Sequence, residues 1–156
     1  MKPNNVTRML DSLKIPYTAF ELPPKKLGAI EVAAILEVPA DLVYKTIVIL
    51  REAKGKPILA VVPGPAEVDL KAVARALGEK KVFLASEREA ERITGLQAGG
   101  ISPLALLNKG FQVVLDVSAR DHLEILISGG QRGLDIRLPV DALASLVHSI
   151  YAPISQ

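Results

Sequence analysis

The sequence predicts a single-domain protein of the α/β class, with α+β character, in which helices pack around a mixed, largely antiparallel and partly barrel-like sheet. Three observations predict this fold. About seven short runs rich in Val, Ile and Leu are typical of strands, several of them are joined by short turns, and helical segments lie between them without strict strand-helix alternation. That missing alternation argues against a doubly wound fold. The length of 156 residues suits one domain, which we expect to span residues 1–156.

Five segments have the apolar period of a helix. The first can begin with either Asn4 or Asn5 as its N-cap, and it carries apolar residues as far as Leu13. The fourth begins at Ser86, and Glu89 three residues later completes a capping box. The predicted helices are the segment after Asn4 or Asn5, residues 29–37, residues 70–77, the segment between Ser86 and Gly95, and a last helix whose buried stripe is Leu143, Leu146, Val147 and Ile150.

The predicted strands are short and apolar, and turn residues separate them. They cover residues 17–21, 43–50, 58–62, 82–85, 112–117, 123–128 and 134–138. Residues 51–56 are charged around Gly55, which suits the loop of a hairpin between the second and third strands.

The clearest strand, residues 43–50, carries an oddly placed charge. Counting by twos puts Lys45 on one face with Ile47 and Ile49, and the other face is also apolar. We therefore expect a central strand that is covered on both sides, with Lys45 half-desolvated at its mouth. A lysine in this place either reaches solvent with its long side chain or serves in a functional site, and the pattern leaves both open.

The composition excludes several kinds of chemistry. The chain has no cysteine, which rules out disulfides, thiolate nucleophiles and cysteine-ligated zinc. Its two histidines, His122 and His148, form no metal-binding pair, so we expect no metal and no cofactor. Three Tyr, three Phe and no Trp argue against a surface that stacks exposed bases.

No stretch of the sequence is typical of a membrane protein. The N-terminus lacks the apolar run of a signal peptide, and no apolar run approaches the roughly 18 residues of a membrane span. We therefore expect a cytoplasmic protein. The net charge of +2 is too small for tight nucleic-acid binding by the overall field, although a local basic cluster could still bind a phosphate backbone.

Two glycine pairs lie beside serines. Gly99 and Gly100 precede Ser102, and a second pair follows Ser128 in a turn that leads to Asp135. Paired glycines can present free backbone N–H groups to a carbonyl oxygen or a phosphate, and they also occur in ordinary tight turns. Neither loop has the dinucleotide-binding or phosphate-loop pattern, and neither serine has a histidine nearby in sequence.

Basic residues cluster around the third predicted helix. Lys71 and Arg75 are four residues apart on it, and Lys80 and Lys81 follow directly. Such a cluster can contact a phosphate backbone or can simply be a solvated surface, and charge alone does not decide.

Four segments in register resemble one family over nearly the whole chain. They are Val-Tyr-Lys-Thr at 43–46, Asp-Leu-Lys-Ala-Val-Ala-Arg-Ala-Leu-Gly at 69–78, Gly-Gly-Ile-Ser-Pro at 99–103 and Ser-Gly-Gly-Gln-Arg-Gly-Leu-Asp-Ile at 128–136. The chain resembles the YbaK/EbsC proteins, free-standing relatives of the editing domain of prolyl-tRNA synthetase. The resemblance implies that fold and a trans-acting aminoacyl-tRNA deacylase, which removes cysteine from tRNA(Pro), with prolyl-tRNA synthetase as a potential partner.

The resemblance also implies roles for individual residues. Lys45 matches the lysine on which activity depends, and Gly100 matches a glycine whose backbone N–H contacts the substrate. The other implied substrate contacts belong to the two glycine-containing loops and the strands beside them: Gly99, Ile101, Ser102, Ser128, Gly129, Asp135 and Phe20. Contact with tRNA is expected at Lys71, Arg75, Lys80 and Lys81.

The implied chemistry needs no nucleophile from the protein, because the thiol of the cysteinyl substrate attacks its own ester. The reaction can be classed as a lyase or a hydrolase. Two departures concern the choice of amino acid: Phe20, Glu21 and Leu22 stand where the family often has Tyr and His, and Ala105 stands where many members have glycine. Alanine or another small residue, removed by water, is therefore an open alternative. A non-catalytic regulator that binds a small ligand would retain the same loops and is the other open alternative.

Overall fold

The computed structural model describes residues 2–52 and 54–156. These residues contain five α-helices and eight strands. The helices are α1 (Asn5–Ser12), α2 (Ala29–Leu36), α3 (Leu70–Leu77), α4 (Glu87–Thr94) and α5 (Val140–Leu146). The strands are β1 (Thr18–Glu21), β2 (Tyr44–Arg51), β3 (Ile58–Pro63), β4 (Val82–Leu84), β5 (Gln112–Asp116), β6 (Glu124–Ser128), β7 (Leu134–Pro139) and β8 (Ile150–Ala152). The predicted loop at 51–56 includes Ala53, which lies outside the described residues.

The strands form two sheets. One has five strands in the order β4-β2-β3-β5-β8, and the other has three in the order β1-β7-β6. Four of the strand pairs are antiparallel and two are parallel, which confirms a mixed, largely antiparallel arrangement. The partly barrel-like expectation was wrong. The sheets are not closed into a barrel, since among the described residues only a single bridge, from Val43 to Leu126, joins them.

Strand β2 is covered by apolar residues on both faces, as its sequence predicts. Tyr44 and Val48 are buried in the larger core cluster, which includes residues of β3, β5, β6 and β7. Ile49 is buried in a second cluster with residues of α3, and Ile47 packs against it. The two faces of this strand therefore belong to different cores, and packing holds the strand from both sides.

Most of the helix ends lie where the capping residues of the sequence predict them. The side chain of Asp69 accepts a hydrogen bond from the Ala72 N–H at 3.1 Å, as expected of an N-cap. Ser86 and Glu89 make both bonds of the predicted capping box. Gly78 and Gly95 adopt the left-handed conformation, with φ of 67° and 74°, that ends α3 and α4.

The predicted extension of the last helix to Ile150 was wrong. Helix α5 ends at Leu146, and His148 has a left-handed φ of 51°, which a continuing helix does not allow. Ile150 instead begins β8, pairs in parallel with Val114 and is 38% exposed. The apolar residues keep their helical spacing beyond Leu146, although the chain leaves the helical conformation at His148. Spacing alone therefore overestimates the length of this helix.

A buried carboxylate fixes the C-terminal segment. Asp116 accepts hydrogen bonds from the N–H groups of Ile154 and Ser155, at 2.9 and 3.1 Å. Its other oxygen accepts from the hydroxyl of Ser118 at 2.5 Å, and that hydroxyl is 2.7 Å from the hydroxyl of Tyr44. One carboxylate thus connects the end of the chain to the start of β2.

One edge of β2 is only partly paired. Strand β4 pairs with Ile49 to Arg51, and at the other end Val43 bridges to Leu126 of β6. The intervening β2 residues pair with β3 on their other side. In the described part of the chain no strand lies along this edge between β4 and β6, and the gap is the position of the candidate site. No described helix has the length and apolar character needed to cross a membrane.

Candidate functional site

A cavity of 390 Å³ opens along the unpaired edge of β2. Strand β2, the turn after β1, the start of α2, the end of β4, and the loops around residues 98–101 and 128–133 enclose it. Most of its lining is apolar, and the charged residues among the lining are Lys25, Lys45, Glu87 and Asp135. An apolar cavity with a few convergent polar groups is the usual form of a small-molecule binding site.

The ammonium group of Lys45 is held in place by a backbone carbonyl. Its Nζ donates to the Gly64 oxygen at 3.0 Å, and the side chain is half-buried on the wall of the cavity. Gly64 in turn donates its N–H to the Val43 oxygen at 2.7 Å. Lys45 is therefore fixed by a turn that is itself tied to the start of the same strand.

No side chain larger than hydrogen fits at Gly64. A Cβ there would lie 2.6 Å from the Cβ of Ala29 and 3.0 Å from the Val43 oxygen. The sequence pattern marks Pro63, Gly64 and Pro65 only as a break between elements, so this contact was missed. The available signal was a glycine between two prolines, directly after the strand that pairs with the lysine's own strand.

Asp135 is a buried carboxyl group in the cavity wall. It lies on β7, opposite Phe20 of β1 and Ser128 of β6, and is only 6% exposed. Within residues 2–52 and 54–156, no side-chain or backbone group donates a hydrogen bond to its carboxyl oxygens. Loss of solvation by burial raises the pKa of Asp135 from 3.8 to about 7.

The first glycine loop supplies unpaired backbone donors. Gly99 and Ile101 line the cavity, and the N–H groups of both have no partner in the described parts of the chain. Gly100 differs, since its N–H donates to the Gln97 oxygen at 2.8 Å. A Cβ on Gly100 would lie 2.8 Å from the Gln131 Cα, so glycine is needed there for the two loops to pack. Gly100 backs the cavity, and its neighbours face it.

The two serines differ in position. Ser128 lines the cavity, and its hydroxyl donates to the Gly99 oxygen at 3.3 Å, which joins the two glycine loops. Ser102 is fully buried, and its hydroxyl accepts from the Leu104 N–H at 3.2 Å. Among the described residues neither hydroxyl contacts a histidine, so the structure contains no serine triad there.

The remaining expected residues do not line the cavity. Gly129 packs against Leu134 and donates its N–H to the Leu134 oxygen at 2.8 Å. Phe20 packs in a small apolar cluster that includes Val32 and Val43, two residues of the cavity lining. The basic residues of the α3 region are exposed and outside the lining: Lys71, Arg75, Lys80 and Lys81.

The structure thus brings together Lys45, Gly99, Ile101, Ser128 and Asp135 in one cavity. Two further charged residues of the lining, Lys25 and Glu87, were not predicted from the sequence, because they lie on other segments and only the fold places them there. No group of three or more His, Asp or Glu residues suited to a metal ion occurs in the part of the chain that is described. A fixed ammonium, free N–H groups and a carboxyl that titrates near neutrality can together bind a substrate with a carbonyl and an amino group.

Comparisons with known proteins give a consistent result. The family described as "Aminoacyl-tRNA editing domain" matches residues 24–146. EbsC of Enterococcus faecalis, which is named for deacylation of Cys-tRNA(Pro) and Cys-tRNA(Cys), is 35% identical over 153 residues, which are 97% of this chain and 92% of EbsC. The prolyl-tRNA editing protein ProX of Acetoanaerobium sticklandii is 33% identical over 105 residues, which cover 66% of this chain and 62% of ProX.

Two crystal structures share the fold. One, of a hypothetical protein, superposes with a TM-score of 0.89 and covers 98% of this chain and 100% of its own. The other, described as a trans-editing enzyme for prolyl-tRNA synthetase, has a TM-score of 0.80 and covers 100% and 99%. Each is 22% identical to this chain, a level at which the likeness shows the fold alone.

The buried carboxyl of Asp135 should make stability depend on pH. The folded protein binds the Asp135 proton more tightly than the unfolded chain does, so this contribution is full below pH 3.8 and is lost as the pH rises to about 7. The loss should be on the order of 4 kcal/mol, at about 1.4 kcal/mol for each pH unit. Urea unfolding at pH 5, 6, 7 and 8 should show Asp135→Asn gaining stability relative to the wild type as the pH rises.

Asp141→Asn removes an exposed carboxyl group that does not line the cavity and provides the matched control. Parallel curves for Asp135→Asn and the wild type would show that Asp135 is already ionised in the folded protein at low pH.

Proposed function

We propose, from the premise that this chain belongs to the aminoacyl-tRNA editing domain family, that it releases a wrongly attached small amino acid from tRNA in trans. Cysteine on tRNA(Pro) is the first candidate. The family match over residues 24–146 and the 35% identity to EbsC over 97% of this chain support deacylation as the activity. The likeness to EbsC also supports cysteine as the amino acid, since EbsC is named for that substrate.

The observation that carries the proposal is the fixed ammonium of Lys45 inside the cavity. Attack on an ester carbonyl develops negative charge on the carbonyl oxygen, and a charge held in place beforehand stabilises it without reorganisation. The bond from Lys45 Nζ to the Gly64 oxygen, at 3.0 Å, provides that fixation. Gly99 and Ile101 line the same cavity, and their free N–H groups are the further candidate donors to that oxygen.

The chain offers no nucleophile of its own that fits the site. It has no cysteine, and the hydroxyls of Ser102 and Ser128 are engaged with backbone groups. With a cysteinyl ester, the substrate thiol attacks its own carbonyl carbon, the ester C–O bond breaks, and the terminal ribose oxygen leaves and takes up the proton. With an alanyl ester, water must attack instead, and the same ammonium stabilises the same charge.

We assign Asp135 to the amino group of the substrate. A carboxylate in a largely apolar cavity is stabilised by an ammonium partner, and none of the described cations lies within ion-pairing distance of it. Ser128, which lines the cavity, and Phe20, which does not, lie opposite Asp135 on the two neighbouring strands, and Gly129 follows Ser128 in the turn. Gly100 and Ser102 act as the frame of the loop, since the N–H of Gly100 is donated to Gln97.

The basic cluster of Lys71, Arg75, Lys80 and Lys81 is the proposed contact for the tRNA backbone outside the cavity. All four side chains are exposed and can reach phosphates. Prolyl-tRNA synthetase is the proposed partner and the cytoplasm the proposed location, in keeping with a family that acts in translation.

Replacing Lys45 should abolish most of the activity. We expect the wild type to release amino acid from at least one of cysteinyl-, alanyl- and seryl-tRNA(Pro). Lys45→Ala should lower the single-turnover rate constant by about 100-fold to 1,000-fold, as loss of one charge-stabilising donor typically does. Release of labelled amino acid measures the rate. The panel also identifies the amino acid.

Lys109→Ala removes an exposed lysine that does not line the cavity and should leave the rate unchanged. A wild type that releases none of the three amino acids would refute the deacylase and favour a small-ligand-binding regulator. Equal rates for the wild type and Lys45→Ala would refute the role of Lys45.

Reversing charge on α3 should weaken tRNA binding without affecting chemistry. In Lys71→Glu with Arg75→Glu, we expect lower affinity for tRNA and a flatter dependence of log K on log salt, because fewer phosphate contacts release fewer counterions. Filter binding at several salt concentrations measures both. Hydrolysis of a small ester substrate should continue at the wild-type rate, and a matching loss on that substrate would place these residues in the catalytic machinery.

A further inference from the structure

Three cationic residues lie in or next to the part of the cavity wall that contains Gly99. Lys25 lines the cavity itself. The Cα of Lys26 lies 3.3 Å, and the Cγ of Arg132 lies 3.6 Å, from the position that a Cβ on Gly99 would occupy. These residues come from two segments far apart in sequence, the turn after β1 and the turn between β6 and β7. We call Lys25, Lys26 and Arg132 the rim cluster.

The rim cluster retains donors that can take a ligand. The Nε of Arg132 donates to the Ala98 oxygen at 2.7 Å, and the other two nitrogens of its guanidinium group have no partner among the described residues. The ammonium of Lys25 also has none there. Lys26 pairs with Glu87, but both side chains are more than half exposed, and an exposed ion pair of this kind is easily exchanged.

The geometry of the proposed substrate brings phosphate to this rim. The aminoacyl group is esterified to the terminal ribose of the tRNA, so an ester that reaches Lys45 leaves the next phosphodiesters at the mouth of the cavity. The cluster on α3 does not line that opening. Arg132 offers a planar fork suited to phosphate oxygens, and the two lysines offer compact charges.

We propose that the rim cluster binds the phosphates of the unpaired 3′-terminal nucleotides of the tRNA. The proposal rests on the proposed function for its choice of RNA. It assigns one surface of the protein to the acceptor end of the tRNA and another surface to the rest of the tRNA. Lys25, Lys26 and Arg132 hold the end of the strand, and the α3 cluster contacts the body.

The test compares two variants of equal charge change on two RNAs. The rim variant is Lys25→Gln with Lys26→Gln, and the matched control is Lys71→Gln with Arg75→Gln; all four side chains are exposed. Each variant and the wild type is titrated with uncharged tRNA(Pro) and with the same tRNA lacking its three 3′-terminal nucleotides. Thermal unfolding of each variant checks that the fold is retained.

The wild type should bind the intact tRNA more tightly than the shortened one. The rim variant should lose about tenfold in affinity for the intact tRNA and nothing for the shortened one, with a salt slope reduced by about 1.4 for two single-strand phosphates. The α3 variant should weaken both RNAs by the same factor. A rim variant that weakens both equally, or neither, would overturn the proposal.

The binding measurement needs no catalysis, so the two proposals fail separately. If deacylation is normal but the rim variant weakens the binding of intact and shortened tRNA alike, the role of the rim cluster is refuted and the proposed deacylase activity stands. If the rim variant weakens the binding of intact tRNA alone but the protein releases no amino acid, the role of the rim cluster is supported and the proposed deacylase activity is refuted.

Discussion

The hydrogen bond from Lys45 to the Gly64 carbonyl is the contact on which the rest of the site depends. It fixes a cation at the open edge of a strand that is otherwise packed on both faces. The carbonyl is fixed because Gly64 is pressed against Ala29 and bonded to Val43, so the start of α2, the start of β2 and the turn after β3 form one rigid unit. A lysine that could otherwise move freely in solvent is thereby confined to one direction, which is what electrostatic stabilisation of a developing oxyanion requires.

The same arrangement explains why the cavity exists where it does. A sheet normally pairs its interior strands along their full length, but here β4 ends beside Ile49 and β6 meets β2 only at Val43. The unpaired stretch costs backbone hydrogen bonds, and the buried carboxyl of Asp135 adds a desolvation cost that is visible in its pKa of about 7. Both costs are of the kind that proteins carry at functional sites, where local stability is given up for a binding surface. The two apolar cores on either side of β2 offset them.

Much of the fold and some of the site could be predicted from particular residues. The two-residue period of β2 placed Lys45 at a strand mouth, and Asp69, Ser86 and Glu89 marked helix starts through local chemistry. Closure of the sheet could not be predicted, because it depends on contacts between distant strands. Asp135 alternates with apolar residues like an outward-facing side chain, yet it is only 6% exposed and lies in the cavity wall. The partner of Lys45 was missed for the same reason, since it is a backbone carbonyl that only the folded turn brings close.

The most direct test of the central claim is a double-mutant cycle between Gly64 and Lys45, measured as the single-turnover rate of deacylation. Gly64→Ala places a Cβ against Ala29 and Val43, so it should displace the turn with its carbonyl and lower the rate at least tenfold when Lys45 is present. In the Lys45→Ala background, which has no ammonium to hold, the same change at Gly64 should have almost no effect. If Gly64→Ala lowered the rate by the same factor in both backgrounds, the carbonyl would not act through Lys45, and the claim that Gly64 holds the catalytic ammonium in place would be contradicted.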